Sequence, residues 1–210
     1  MTCCEHDTRE GFVCALQTGA KVPGFSIEVY NPVTREMEEI SLESIGSSRK
    51  WTVLFFYPAD FTFVCPTELA DLATQHETLK SLGVEVISVS TDTTYCHLAW
   101  KDTELLLKNV KFLMGSDPTG EVCRLFGVYD ANTGLALRGT CIIDPESVLV
   151  STEVNYYNVG RNGDELVRKM EANVHLRAHP NEVCPARWQK GQTTLTPDNT
   201  LVGKVADALK

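Results

Sequence analysis

Phe55-Phe56-Tyr57-Pro58-Ala59-Asp60-Phe61-Thr62-Phe63-Val64-Cys65-Pro66-Thr67-Glu68 is the stretch around which the chain is organised. Its first residues close an apolar run over 51–57, rich in aromatic and β-branched side chains, which reads as a buried strand. Its last residues open a helical pattern over 67–82, with Leu69, Leu72, Ala73, Leu79 and Leu82 on one face. Proline is tolerated in a first helical turn, where its missing N–H would have no partner, so Pro66 puts Cys65 at or just before a helix N-terminus. The free N–H groups and the positive end of the helix dipole there favour a thiolate over a thiol. A helix end contributes only about 0.3–1 kcal/mol to an exposed charge, so a cation and a hydroxyl donor are expected beside the sulfur. Thr62, three residues earlier, supplies the hydroxyl, and the cation has to come from elsewhere in the chain. Most unpaired cysteines are small buried hydrophobes. The position between a strand end and a helix start argues for a reactive group instead.

A chain of 210 residues has room for one domain with a sizeable core and a tail. The net charge of −9 and pI of about 5.0 argue against a nucleic-acid partner and against docking on an anionic membrane. No apolar run approaches the length of a membrane span. The opening residues, with Glu5, His6, Asp7 and Arg9, do not read as a secretory signal peptide. Eight cysteines in such a chain read as cytosolic thiols rather than a disulfide framework, so a cytoplasmic location is expected. There is no Cys-x-x-Cys pair, and no metal or other cofactor is expected. His175 and His179, four apart with Cys184 beyond, read as a solvated helix face.

Residues 1–20, with Cys3, Cys4 and Cys14, read as an N-terminal extension. Residues 21–45 are strand-like and turn-rich, with an alternating strand from Phe25 to Tyr30, an Asn31-Pro32 turn, a returning strand to Ser41 and a short helix or loop near Ser44. The core then alternates: a strand over 51–57, a helix over 67–82, a strand over 84–90, a helix over 94–108, a strand over 111–114 and a helix from Asp117-Pro118 to about Phe126. Strands over 137–143 and 148–155 and a helix over 164–178 follow. This is the pattern of an α/β layer fold with a mixed central sheet over 21–179. Residues 180–210 form an irregular, polar C-terminal arm that carries Cys184, with an apolar touch-down at Leu201-Val202. Cys96, Cys123 and Cys141 fall in core elements and read as structural.

Pro58, Thr62 and Cys65 match the Pro-x-x-x-Thr-x-x-Cys signature of the peroxiredoxins, and the longer string through Glu68 resembles the two-cysteine members of the bacterial alkyl hydroperoxide reductase C type. The resemblance runs from about Lys21 to the end of the chain. It implies a thioredoxin-like fold with the N-terminal hairpin as an addition, and a thiol peroxidase acting on hydrogen peroxide and organic hydroperoxides. It implies Arg138 as the missing cation, with Glu68 and Arg161 as supporting residues and Pro58 shielding the sulfur. Peroxide would convert Cys65 to a sulfenic acid, while Thr62, Arg138 and backbone N–H groups stabilise the departing oxygen. Glu182-Val183-Cys184-Pro185-Ala186 matches the family's Val-Cys-Pro motif, which implies Cys184 as the resolving cysteine, bonding to Cys65 of a second subunit. A homodimer, assembled into a decamer, is implied, with either a flavoprotein disulfide reductase or thioredoxin as electron donor.

Oxidation-sensitive eukaryotic relatives carry a Gly-Gly-Leu-Gly insertion and a C-terminal Tyr-Phe motif, neither of which occurs in this sequence. Resistance to over-oxidation is therefore expected. Mass spectrometry at low peroxide should find little Cys65 sulfinic acid, and ready formation of that acid there would reject the expectation. Two other readings compete. A thioredoxin-like disulfide reductase wants a second cysteine at position 68, which is Glu68. A ring-forming holdase chaperone would keep its activity in Cys65→Ser, whereas a peroxidase would not.

Overall fold

The computed structural model describes residues 15–47 and 49–209. Cys3, Cys4 and Cys14, and most of the extension they belong to, lie outside the described residues.

Strand β3 (Trp51–Phe56) is buried along its whole length because it has strands on both sides and helices on both faces. It pairs in parallel with β4 (Val84–Ser90), which pairs in parallel with β5 (Leu113–Ser116). On its other side it runs antiparallel to β8 (Arg138–Ile143), and β8 runs antiparallel to β9 (Leu149–Asn155). Strands β1 (Ser26–Tyr30) and β2 (Met37–Ser41) form the expected hairpin, and β1 also pairs antiparallel with β5. The hairpin therefore extends the main sheet, giving a seven-stranded mixed sheet of order β2-β1-β5-β4-β3-β8-β9.

Alternation along β3 sends Val53, Phe55 and Tyr57 into one apolar cluster and Leu54 and Phe56 into the other. The first cluster is covered by α2 (Cys65–Ser81) through Leu69, Leu72 and Leu79, by α5 (Gly163–Ala178) through Leu166 and Met170, and by Trp100 of α3 (Thr94–Thr103). The second is covered by α1 (Leu42–Ser47) and α4 (Glu121–Leu125) through Leu42, Ile45, Val122 and Cys123. Each fully buried leucine or valine side chain contributes roughly 1.5–3 kcal/mol, so these two layers hold the sheet that presents Cys65.

Several boundaries differ from expectation, each for a local reason. Helix α2 starts at Cys65 itself, with Pro66 inside its first turn, rather than at Thr67. The helix expected over 94–108 stops at Thr103, because Glu104 is extended and its carboxylate accepts the Leu106 N–H at 3.0 Å. The chain restarts there as a 3-10 turn, Leu105–Asn109, that buries Leu107. Strand β5 begins at Leu113, not at Lys111. Helix α4 starts only at Glu121, because the Asp117 carboxylate accepts the Cys123 N–H at 2.7 Å and Gly120 sits at φ +71° just before the helix. A two-stranded ribbon of β6 (Tyr129–Asp130) and β7 (Leu135–Ala136) has no counterpart in the sequence reading. Two-residue strands are too short to show an alternation.

The polar arm is pinned more firmly than its composition implies. Val183 and Leu195 exchange both backbone hydrogen bonds, at 2.8 and 3.0 Å. Trp188 is 1 % exposed, and its indole N–H donates to the Gln192 carbonyl at 3.0 Å. At the expected apolar touch-down Leu201 is half-buried but Val202 is 78 % exposed. Cys123 and Cys141 are buried as expected, whereas Cys96 is only half-buried. No helix among the described residues is long and apolar enough to cross a membrane.

Candidate active site

Cys65 is the first residue of α2 and is completely buried. The helix has no side-chain cap at Val64; Pro66 has no N–H and the Thr67 N–H donates to the Val64 carbonyl at 3.0 Å, so the N–H that the first turn leaves to the site is that of Cys65 itself. Arg138, the first residue of β8, places Nη1 3.4 Å from Cys65 Sγ. The same Nη1 donates to Glu68 Oε2 at 2.5 Å, and Arg138 Nε donates to the Tyr157 carbonyl at 2.8 Å. Glu68, one turn along α2 from Cys65, also takes Arg161: its Oε1 accepts both the backbone N–H and Nε of Arg161 at 2.9 Å. The Arg161 guanidinium lies 3.4 Å above the centre of the Phe55 ring. Burial pulls that guanidinium down from the ordinary arginine range, and the Glu68 carboxylate works against the fall.

Side-chain exposures of 1 % for Glu68, 4 % for Arg138 and 3 % for Arg161 make this a dry cluster. Two guanidiniums against one carboxylate leave one net positive charge beside Cys65 Sγ. Low effective dielectric strengthens its attraction for any negative charge that forms there.

The loop from β3 to α2 sets the other wall. Pro58 is buried, and Thr62 is half-buried with its hydroxyl donating to the Ala59 carbonyl at 2.8 Å. That hydroxyl is thus turned onto the loop, not onto the sulfur. Phe61 adopts φ +54°, a left-handed conformation uncommon for a non-glycine residue. Asp60 anchors the loop from inside: its carboxylate accepts the Tyr57 hydroxyl at 2.7 Å and meets His97 Nδ1 at 2.8 Å. His97 Nε2 lies 3.0 Å from the Gly115 carbonyl, and the Asp60 N–H donates to Asp92 Oδ2 at 2.8 Å.

The remaining described thiols sit in environments that oppose ionisation. Burial first, then the Asp60 and Asp92 carboxylates, pushes Cys96 up to about 12. Burial pushes Cys141 up to about 12 and raises Cys123, the latter with help from Asp117. Cys184 is half-exposed on the arm, its thiol raised by burial and by Glu182, with Arg168 working the other way. Cys65 and Cys184 are both free thiols in this structure.

The structure therefore brings Cys65, Glu68, Arg138 and Arg161 into one hydrogen-bonded cluster with Pro58 and Thr62 on the adjoining loop. Cys184 stands on a separate arm. The sequence reading missed Tyr157, Phe55, Asp60 and His97, which hold the cluster and its loop. Only Asp60 left a signal, as a carboxylate within an otherwise apolar stretch that has to find a buried partner.

Residues 18–152 match the AhpC/TSA family. Alkyl hydroperoxide reductase C of Staphylococcus saprophyticus is 46% identical over 181 residues, covering 86% of this chain and 95% of that protein. The crystal structure of Enterococcus faecalis AhpC is 42% identical, covers 80% of this chain and 98% of that one, and superposes with a TM-score of 0.75. The reduced 2-Cys peroxiredoxin of Plasmodium vivax reaches a TM-score of 0.82 at 32% identity, over 87% of this chain and 94% of that one. These solved relatives share the thioredoxin-like α/β architecture described above. The chain belongs to the AhpC/TSA family and is a peroxiredoxin, an enzyme that reduces peroxides with a thiol.

Proposed function

We propose that Cys65 is the thiol that meets the peroxide, and that Cys184 of a second subunit resolves the product. The observation that carries the reading is Arg138 Nη1 at 3.4 Å from Cys65 Sγ, inside a dry cluster with one net positive charge. The sulfur attacks the terminal peroxide oxygen, an S–O bond forms and the O–O bond breaks. Two electrons leave sulfur, and the departing oxygen carries them away as hydroxide or alkoxide until it takes a proton. Arg138 and the Cys65 backbone N–H at the start of α2 face the developing charge, the arrangement that lowers such a barrier most. Glu68 holds Arg138 in place, Arg161 holds Glu68, and the buried Pro58 keeps water from the sulfur. Thr62 joins by rotating its hydroxyl from the Ala59 carbonyl towards the incoming peroxide.

The product is a Cys65 sulfenic acid. Cys184 sulfur then attacks that sulfur, water leaves and an inter-chain disulfide forms. An S–S bond is about 2.05 Å long, so a fully buried Cys65 at a helix start can accept a partner only if the first turn of α2 and the arm unwind locally. A dithiol donor, either a flavoprotein disulfide reductase or thioredoxin, returns both cysteines to thiols. The substrates are hydrogen peroxide and small organic hydroperoxides, the working unit is a homodimer that assembles into a decamer, and the setting is the cytoplasm.

A non-reducing gel before and after one equivalent of hydrogen peroxide tests this. Wild type should give a dimer band that Cys65→Ser and Cys184→Ser both abolish. A band that survives Cys184→Ser would transfer the resolving role to another cysteine.

A further inference from the structure

Helix α5 ends with His175 in its last turn and His179 as its C-terminal cap. Spaced four residues apart, the two imidazoles share a face, and their rings stack with centres 4.2 Å apart at 17°. The chain then folds back and brings Glu182 to the same face, with its Oε2 2.8 Å from His175 Nε2. One donor atom from each of the three residues lies within 4.8 Å of the others.

Two details go beyond proximity. His179 Nδ1 lies 2.9 Å from the His175 carbonyl oxygen. A carbonyl only accepts, so Nδ1 carries the hydrogen and Nε2 keeps its lone pair, the tautomer in which histidine binds a metal. Glu182 Oε2 also accepts the Thr194 hydroxyl at 2.6 Å, which orients the carboxylate from behind. Trp188 packs against His175 at 5.1 Å between ring centres, while His179 is exposed, so the cluster has an apolar floor and an open approach.

We propose that His175, His179 and Glu182 bind a divalent cation of the zinc class, and that the bound ion ties the C-terminal arm to α5. Two imidazoles and one carboxylate, with a fourth position left to water, is a donor set that suits zinc. Calcium takes six to eight oxygen ligands, far more than one carboxylate and a hydroxyl. Zinc bonds of about 2.0–2.1 Å in a tetrahedron separate the ligand atoms by roughly 3.3 Å. That lies between the 2.8 Å His175–Glu182 separation and the 4.8 Å limit of the cluster, so small side-chain rotations close the site, and the proton that His175 Nε2 shares with Glu182 leaves as the ion binds. Val183, locked to Leu195, and then Cys184 follow Glu182 directly. An ion at Glu182 therefore restrains the segment through which Cys184 would have to move. That consequence, but not the site, rests on Cys184 being the resolving thiol.

Equilibrium dialysis of the full-length, reduced protein against zinc ion tests the site without peroxide. Wild type, Cys65→Ser and Cys184→Ser should each retain one ion per chain at this site, while His179→Ala and Glu182→Gln weaken its retention roughly 100-fold. Retention unchanged by the His179 and Glu182 substitutions, or lost in the cysteine variants, would overturn the site. Hydrogen exchange of the amides of residues 182–195 should slow with zinc in wild type and not in His179→Ala, and equal exchange with and without zinc would overturn the tie. Because neither readout involves the disulfide, a failed dimer band would remove the effect on turnover and leave the site standing.

Discussion

Replacing Glu68 by Gln should cost about 3–5 kcal/mol of stability, the range for breaking a buried ion pair by removing one partner. It should also lower the rate of peroxide reduction by roughly 100-fold or more, the scale for losing one aligned donor to a developing oxyanion. Among the described residues Glu68 is the only carboxylate in the cluster, and it accepts from Arg138 at 2.5 Å and from Arg161 at 2.9 Å. Without its charge two guanidiniums face each other in a dry site with only a neutral amide between them. Arg138 then loses the charged partner that aims Nη1 at Cys65, while its bond to the Tyr157 carbonyl is kept. Urea unfolding read beside stopped-flow peroxide consumption separates the two effects. A variant as stable and as fast as wild type would mean that the cluster neither holds the fold nor positions Arg138.

The second large effect is expected at His97, which touches no part of the sulfur cluster. His97 and Asp60 both have side chains with no exposure, and each ring nitrogen of His97 meets an acceptor, Asp60 or the Gly115 carbonyl. His97→Ala removes one half of that pair and leaves the buried Asp60 carboxylate with the Tyr57 hydroxyl and the Cys96 thiol, again a loss of about 3–5 kcal/mol. Asp60 lies between Pro58 and Thr62, so its release should also loosen the loop that forms the site's wall. Chemical denaturation gives the first number, and proteolysis near Phe61 gives the second. A stability loss below about 1 kcal/mol, the scale of an exposed pair, would show that the interior tolerates Asp60 without its partner.

Both effects depend on residues that lie far apart in the chain, and register is what brings them together. In β3 and β8, Phe55 stands opposite Thr140 and Leu54 opposite Cys141. Arg138, two residues before Thr140, therefore shares the face of Phe55 and Tyr57, the face that α2 covers, while Cys141 turns into the other layer. A slip of one residue would send Arg138 to the wrong side of the sheet.

From the sequence alone a strand over 51–57, a helix starting close to Pro66 and the cysteine between them were legible. So was the alternation of strands and helices that makes an α/β layer fold. These are local properties: hydrophobic period, proline in a first turn and turn residues act within a few positions of themselves. The need for a cation beside Cys65 was legible too, but its identity came from resemblance to the peroxiredoxins and not from the pattern around Arg138. Glu68 bridging two arginines, His97 meeting Asp60, and Glu182 folding back onto His175 were decided only by the tertiary structure. Each joins side chains whose proximity depends on strand order, register and the path of the arm. A buried polar group shows in the sequence that it must have a partner, and only the packing of the whole chain selects which one it gets.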